Sequence, residues 1–177
     1  MQPCLLLVLA LLGTTSASHP APDSPEVDKA ALEVPEEDGR CPLQSETRAF
    51  SAANPLGAST FRYVIVTRCQ NFHNAQHICA RCYRGRLASI HSYSRNSLLQ
   101  RQARLSTNRG QVWIGAITQP VGRTVHCWWA DQSRWNYSYW LHGYPLRSHR
   151  YCTSLCTNNG RWRSVRCQVR LPFICEY

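Results

Sequence analysis

The chain has 177 residues, 44% of them apolar, with ten cysteines, six tryptophans, twenty basic side chains against ten acidic ones and a formal net charge of +10. That apolar content, with modest glycine and proline, excludes collagenous, low-complexity and wholly disordered classes. The length suits one compact domain that buries about two-thirds of its unfolded surface, with cysteines strengthening the core rather than replacing it.

Cys4 to Leu12 is an unbroken apolar run of nine residues, well short of the about 20 that a membrane-spanning helix needs. Thr15-Ser16-Ala17 follows as a small-x-small cleavage site, so residues 1–17 read as a secretory signal peptide whose n-region carries only the terminal amine. The cysteine count agrees with an oxidising compartment. From Ser18 to Glu46, eight acids (Asp23, Glu26, Asp28, Glu33, Glu36, Glu37, Asp38 and Glu46) face Lys29 and Arg40, a net charge of −6, among Pro20, Pro22, Pro25 and Pro35. Such composition leaves residues 18–59 disordered, as a solvated linker or as a propiece that partly masks a basic domain and is cut between about Glu46 and Phe61. Residues 60–177 form that domain. From Thr47 onward eighteen arginines face only Asp131 and Glu176, a net charge of +16 with no lysine. Guanidinium is a planar fork that pairs bidentately with sulfate, phosphate or carboxylate, so an arginine-only surface suits polyanions.

Phe61 to Thr67, β-branched and aromatic with apolar residues on both faces, predicts a strand. Asn71 offers an N-cap to a helix through Tyr83, with Phe72, Ala75, Cys79 and Cys82 along one stripe and Gly85 ending it. A second helix spans about Ser94 to Leu105. Gln111 to Thr118 reads as a buried strand, Cys127 to Ala130 as a short one, and Trp135 to Arg150 as a long ordered loop. Tyr151 to Cys156 and Arg161 to Cys167 flank Asn158-Asn159-Gly160, a hairpin signal, before a last strand, Leu171 to Glu176. Two helices among short strands, without an internal repeat, make the fold class α+β.

Trp113-Ile114-Gly115, Trp129-Ala130-Asp131 with Trp135-Asn136, Cys152, Cys167 and Pro172-Phe173-Ile174-Cys175-Glu176 stand in the order that resembles the C-type lectin domain, over about Phe61 to Tyr177. More narrowly, Arg81-Cys82-Tyr83-Arg84-Gly85, Ser89-Ile90-His91, Gly110 to Gly115, Leu155-Cys156-Thr157 and Leu171 to Cys175 resemble the eosinophil granule major basic protein (bone marrow proteoglycan) family. That family has the same succession of signal peptide, acidic propiece and Arg-rich lectin-like domain. The propiece here is short for it, and Cys127 sits where its close homologues, rather than major basic protein itself, carry cysteine. The resemblance implies disulfides Cys79–Cys175 and Cys152–Cys167, each worth roughly 2 to 4 kcal/mol. It leaves Cys69, Cys82, Cys127 and Cys156 in the body and Cys41 in the leader free, paired with one another or bonded to another chain. Cys79-x-x-Cys82 lies on a helix, and no second ligand pair has zinc spacing, which argues against a metal or redox site.

Calcium is not expected. A site needs six to eight oxygens with several carboxylates, and the body has Asp131 and Glu176, both inside fold motifs and read as structural. Gly143-Tyr144-Pro145 replaces the Glu-Pro-Asn type of sugar-binding triplet, and Tyr137 follows Trp135-Asn136 where calcium-binding members have Asp. Catalysis is not expected either. The only carboxylate pair lies in those fold motifs, and no Gly-x-Ser-x-Gly elbow is present. A basic ribonuclease could draw on His73, His77, His91, His126, His142 and His149, but such enzymes also use a lysine; His91 reads as positional. Asn136-Tyr137-Ser138 is a glycosylation sequon whose overlap with the tryptophan-rich motif puts burial in competition with its use.

The expectation is a secreted, granule-stored, non-enzymatic cationic effector without cofactor. It would bind heparan sulfate or heparin and anionic membranes, but no specific nucleic acid, with toxicity to cells and microbes as the resemblance implies. The expected binding arginines are Arg161, Arg163, Arg166 and Arg170 around the last hairpin, with Arg81, Arg84, Arg86, Arg101 and Arg104 on or beside the helices, grouped on one face. A heparan-sulfate-binding regulatory module is the competing class, and a spare cysteine could join a disulfide-linked partner.

Overall fold

A computed structural model describes residues 39–53 and 60–177, so the expected signal peptide and residues 18–38 and 54–59 of the expected propiece lie outside the described residues. All the described residues belong to one compact unit, residues 34–177. A single 3-10 turn, Gln44–Glu46, leads into β1 (Thr47–Ala53), β2 (Thr60–Gln70), α1 (Phe72–Tyr83), β3 (Arg86–Leu87), α2 (Tyr93–Ser106), β4 (Gln111–Val121), β5 (Thr124–Trp129), β6 (Tyr151–Cys156), β7 (Trp162–Val165) and β8 (Leu171–Glu176). The strands form one sheet in the order β1-β2-β8-β4-β6-β7, with β3 added to β8 and β5 to β4.

The period-2 alternation of strands sends successive side chains to opposite faces, and here both faces are covered. Tyr63, Ile65, Val112, Ile114, Ala116 and Ile174 point to the face that buries Leu99 and Ala103 of α2. Their neighbours Val64, Val66, Trp113, Phe173 and Cys175 point to the face that buries Phe72, Ala75, Ile78 and Cys79 of α1. The apolar run on both faces of β2 in the sequence is the signature of this double burial. The two helices therefore lie on opposite sides of the sheet.

Helix α1 starts where its cap predicts, with Asn71 Oδ1 accepting from Asn74 N at 2.8 Å, and α2 is capped by Ser92 in the same way. The end of α1 differs from expectation. Arg84, not Gly85, takes the left-handed conformation (φ 53°), and Gly85 N then donates to Cys79 O at 3.0 Å. Gly85 is needed for another reason, since a Cβ there would collide with the Glu176 carbonyl of β8. The last hairpin turns at Gly160 (φ 72°), and α2 locks the turn through Asn96 Nδ2, which donates to Gly160 O at 3.0 Å.

Residues 39–53 depart from the expected disordered leader. β1 pairs antiparallel with β2 along its whole length, from Thr47↔Val66 to Ala53↔Thr60. Phe50 stacks on Tyr63 at 5.4 Å, and Ala52 is buried. Cys41 is bonded to Cys82 of α1, Arg40 pairs with Glu46 at 3.0 Å, and Thr67 Oγ1 donates to Glu46 O at 3.0 Å. Composition misjudged this stretch because seven of the eight acids and four of the prolines of the leader lie N-terminal to it, while Thr47 to Ala53 is itself strand-competent. The other two disulfides join Cys79 to Cys175 and Cys152 to Cys167, the pairs the resemblance implies. The Cys79-x-x-Cys82 spacing is thus divided between two separate bridges.

Candidate functional site

The acids come first, because they decide which arginines carry free charge. Glu46 is taken by Arg40, whose hydrogen bond holds its carboxyl below the usual range. Asp131 and Glu176, with side chains only 4% and 7% exposed, both meet Arg86, at 3.0 and 3.3 Å. Asp131 also accepts from Ser133 Oγ at 2.6 Å, from Ser133 N at 2.9 Å and from Ser89 Oγ at 2.9 Å. Burial pushes Asp131 up, but these hydrogen bonds and the guanidinium outweigh it, and the net direction is down. For Glu176 burial wins over Arg86 and the carboxyl is raised, helped by the like charge of Asp131. All three acids among the described residues are thus internal partners of arginine. Arg86, expected on the binding surface, is instead a structural counter-ion, so its charge is not available to a ligand. Among the described residues no three His, Cys, Asp or Glu side chains gather as metal ligands.

The remaining expected arginines do not share one face. Arg81 is exposed on α1 and Arg84 just past its end, and Arg101 and Arg104 are exposed on α2, across the sheet. Around the last hairpin, the half-buried Arg161 lies 4.0 Å over the Tyr139 ring. Arg163 is half-buried on β7, with its positive charge near the Cys156 thiol. Arg166 and Arg170 are exposed.

Two recesses gather Arg123, Arg147 and Arg150, which the sequence did not single out, together with the expected Arg166. The first, about 490 Å³, is lined by Arg123, Thr124, Val125 and Cys127 on one side and by Trp140, Gly143, Tyr144, Pro145 and Arg147 of the long loop on the other. It contains the replaced triplet, with a cis peptide at Tyr144-Pro145. The second, about 540 Å³, brings Arg150 and Arg166 together with His73 and His149. Neither has a carboxylate in its lining. The signal available in the sequence was the run Arg147-Ser148-His149-Arg150 in a loop with strand on either side, where polar charge has no core to serve.

The long loop is held by aromatic packing. Trp162 meets Trp129, Trp135, Tyr137 and Trp140 at 5.5 to 5.9 Å between ring centres, and its Nε1 donates to the buried Asn96 Oδ1 at 2.7 Å. Trp162 N donates to Tyr139 O at 2.8 Å, and Leu141 N donates to Trp162 O at 2.9 Å. The tryptophans therefore build the scaffold: Trp113, Trp129 and Trp162 are fully buried, and among the described residues the exposed large apolar side chains are Leu43, Tyr93, Leu105, Val121 and Val169. His91 is positional, as expected, with Nδ1 2.8 Å from Asn136 Oδ1 and Nε2 3.2 Å from both Ser89 Oγ and Ser133 Oγ. Asn136 itself is exposed, so burial does not compete with its sequon.

Of the cysteines expected to be spare, Cys69, Cys127 and Cys156 are free thiols. Burial pushes the Cys127 thiol up to about 11 and raises that of Cys156 as well.

A long ordered loop, a helix on each face of one sheet and a terminal strand bridged to the first helix define a lectin-type domain. The Lectin C-type domain model matches residues 68–177, and the chain belongs to that family. Human lithostathine at 1.3 Å resolution superposes with a TM-score of 0.60 and 25% identity over 84% of this chain and 98% of that one. A calcium-independent type II antifreeze protein, 20% identical over 72% of this chain and 95% of that one, shares the fold with a TM-score of 0.56. Among curated relatives, mouse bone marrow proteoglycan is 43% identical over 82% of this chain and 64% of its own length. Guinea pig eosinophil granule major basic protein 2 is 39% identical over 82% of this chain and 62% of its own. The chain thus spans a little under two-thirds of the length of these relatives. Among the described residues no helix is long and apolar enough to cross a membrane.

Proposed function

We propose that this protein is a secreted, granule-stored cationic lectin-like effector that binds sulfated glycans and anionic membrane surfaces without calcium and without catalysis. One observation carries the reading: the acids of the domain are spent on Arg40 and Arg86, while the arginines of the two recesses have no carboxylate in their linings. A calcium ion would find no unspent carboxylate there, and an oxyanion would find guanidinium groups without a resident counter-ion. The eosinophil granule relatives support the same class.

On an anionic bilayer each arginine near the surface contributes about 1 kcal/mol. Because most tryptophans are committed to the scaffold, membrane attachment rests on charge more than on aromatic insertion. Disturbance of the bilayer is then the toxic step. A second reading, a glycan-binding regulatory module without toxicity, is favoured by the recessed position of the arginines, which suits a pendant group better than a flat surface.

The test is binding of the full chain to heparin and to phosphatidylserine vesicles across a salt series, with calcium or chelator, while dye release is recorded. Binding that weakens steeply with salt, ignores calcium and releases dye supports the effector. Binding without release supports the module, and a requirement for calcium overturns both.

A further inference from the structure

We propose that the recess formed by His73, His149, Arg150 and Arg166 is a dedicated subsite for a sulfate ester carried on a glycan, separate from the long-loop recess. The inference rests on the polyanion-binding reading above and assigns it a second, independent location. Three features of the recess support it.

First, it collects five nitrogen-bearing donor side chains from three separate parts of the chain. His73 comes from the first turn of α1, His149 and Arg150 from the end of the long loop, and Arg166 and Gln168 from the segment between β7 and β8. Tyr151 and Cys167 complete the wall, and no acid lines it. Two guanidinium groups and two imidazoles around about 540 Å³ present donors to a tetrahedral oxyanion from several directions, each neutral imidazole supplying one N–H.

Second, its walls are braced. Cys167 is bonded to Cys152, and its carbonyl accepts from Phe72 N at 2.9 Å, which ties the recess to the start of α1. The Arg150 guanidinium lies 5.5 Å over the Trp128 ring. Tyr151 is held by its hydroxyl contact with Ser148 Oγ at 2.6 Å. Val169 N donates to Arg166 O at 3.0 Å, closing the turn that carries Arg166. Donors held in place lose less freedom when a ligand arrives.

Third, it is distinct from the long-loop recess. The two recesses share no lining residue, and Trp128, over whose ring Arg150 lies, alternates along β5 with Val125 and Cys127 of the long-loop recess. A glycan is favoured over a lipid phosphate because the charge lies in a recess, and because the Gln168 amide supplies a donor and an acceptor for sugar hydroxyl or N-acyl groups that a phosphomonoester lipid lacks.

The experiment titrates the full chain with a heparin hexasaccharide in about 0.15 M salt. It follows affinity by calorimetry and the ring signals of His73 and His149 by NMR, for the native sequence, for R150Q/R166Q and for R123Q/R147Q. The expected result is a loss of about tenfold or more per arginine removed in R150Q/R166Q, with the histidine ring shifts abolished. In R123Q/R147Q the ring shifts persist even where affinity falls. Circular dichroism of each variant verifies the fold, and H73Q/H149Q, which leaves every arginine in place, gives a second reading of affinity. If the native chain fails to bind the hexasaccharide, the polyanion reading itself falls. If it binds but neither R150Q/R166Q nor H73Q/H149Q weakens it and the rings do not shift, only this subsite is overturned. Ring shifts produced by phosphatidate vesicles but not by the hexasaccharide overturn the choice of a glycan.

Discussion

Replacing Arg86 by glutamine isolates the structural charge of the domain from its functional charge. Arg86 meets both Asp131 (3.0 Å) and Glu176 (3.3 Å). Removing one partner of a fully buried pair costs roughly 3 to 5 kcal/mol. The Arg86 side chain is 48% exposed, so solvent screens part of the interaction and about 2 kcal/mol is the expected loss. For a domain of this size that lowers Tm by about 7 °C. The sign of the pH dependence follows from the two carboxyls. Glu176 is already raised by burial, and Asp131 is held down partly by Arg86; without the guanidinium both rise. The folded variant then binds protons more readily than the unfolded chain, so its deficit is largest near neutrality and shrinks as Glu176 protonates on acidification. Thermal melts of native and R86Q protein between about pH 5 and 7.5 read this directly. Heparin affinity of R86Q should stay near native, because the charge removed was already spent. A deficit that grows towards acid, or a fall in affinity comparable to that of R150Q/R166Q, would refute the reasoning.

Cys41→Ser should destabilise the chain by about 4 kcal/mol, from the loop entropy of a bridge spanning 41 residues, measured by urea unfolding without reductant. The same bridge predicts that a proteolytic cut between about Glu46 and Phe61 leaves the N-terminal piece attached. Intact mass without reductant should rise by one water, and the piece should leave only when Cys41–Cys82 is reduced and β1 released. The Cys127 thiol, raised to about 11, should resist iodoacetamide at neutral pH and react about tenfold faster per pH unit as the solution becomes alkaline; rapid neutral alkylation would contradict its burial. Gly115→Ala places a Cβ 2.6 Å from the Leu87 carbonyl, in contact with backbone that cannot rotate away. A loss of more than about 2 kcal/mol is expected, in the range of overpacked cores, read by the same unfolding assay.

The local periods and caps of the chain determined much of the fold. Asn71 caps its helix through a neighbour three residues away, β2 declares its double burial by an apolar run, and the terminal hairpin follows from Asn158-Asn159-Gly160. Each of these rests on interactions within a few residues, which is why composition and spacing carry them. The excess of arginine and its segregation from acid were equally plain in the sequence. Which arginines are free was decided only by tertiary structure, because neutralisation depends on where distant segments meet: Arg86 reaches Glu176 across 90 residues. The same holds for the Cys41–Cys82 bridge, for β1 as part of the sheet, and for the division of the helix arginines between two faces. Long-range pairing is set by the packing of both faces of the sheet, and no local pattern records it. The sequence by itself thus determined the class of the protein and the sign of its charge, and the fold decided where that charge can be used.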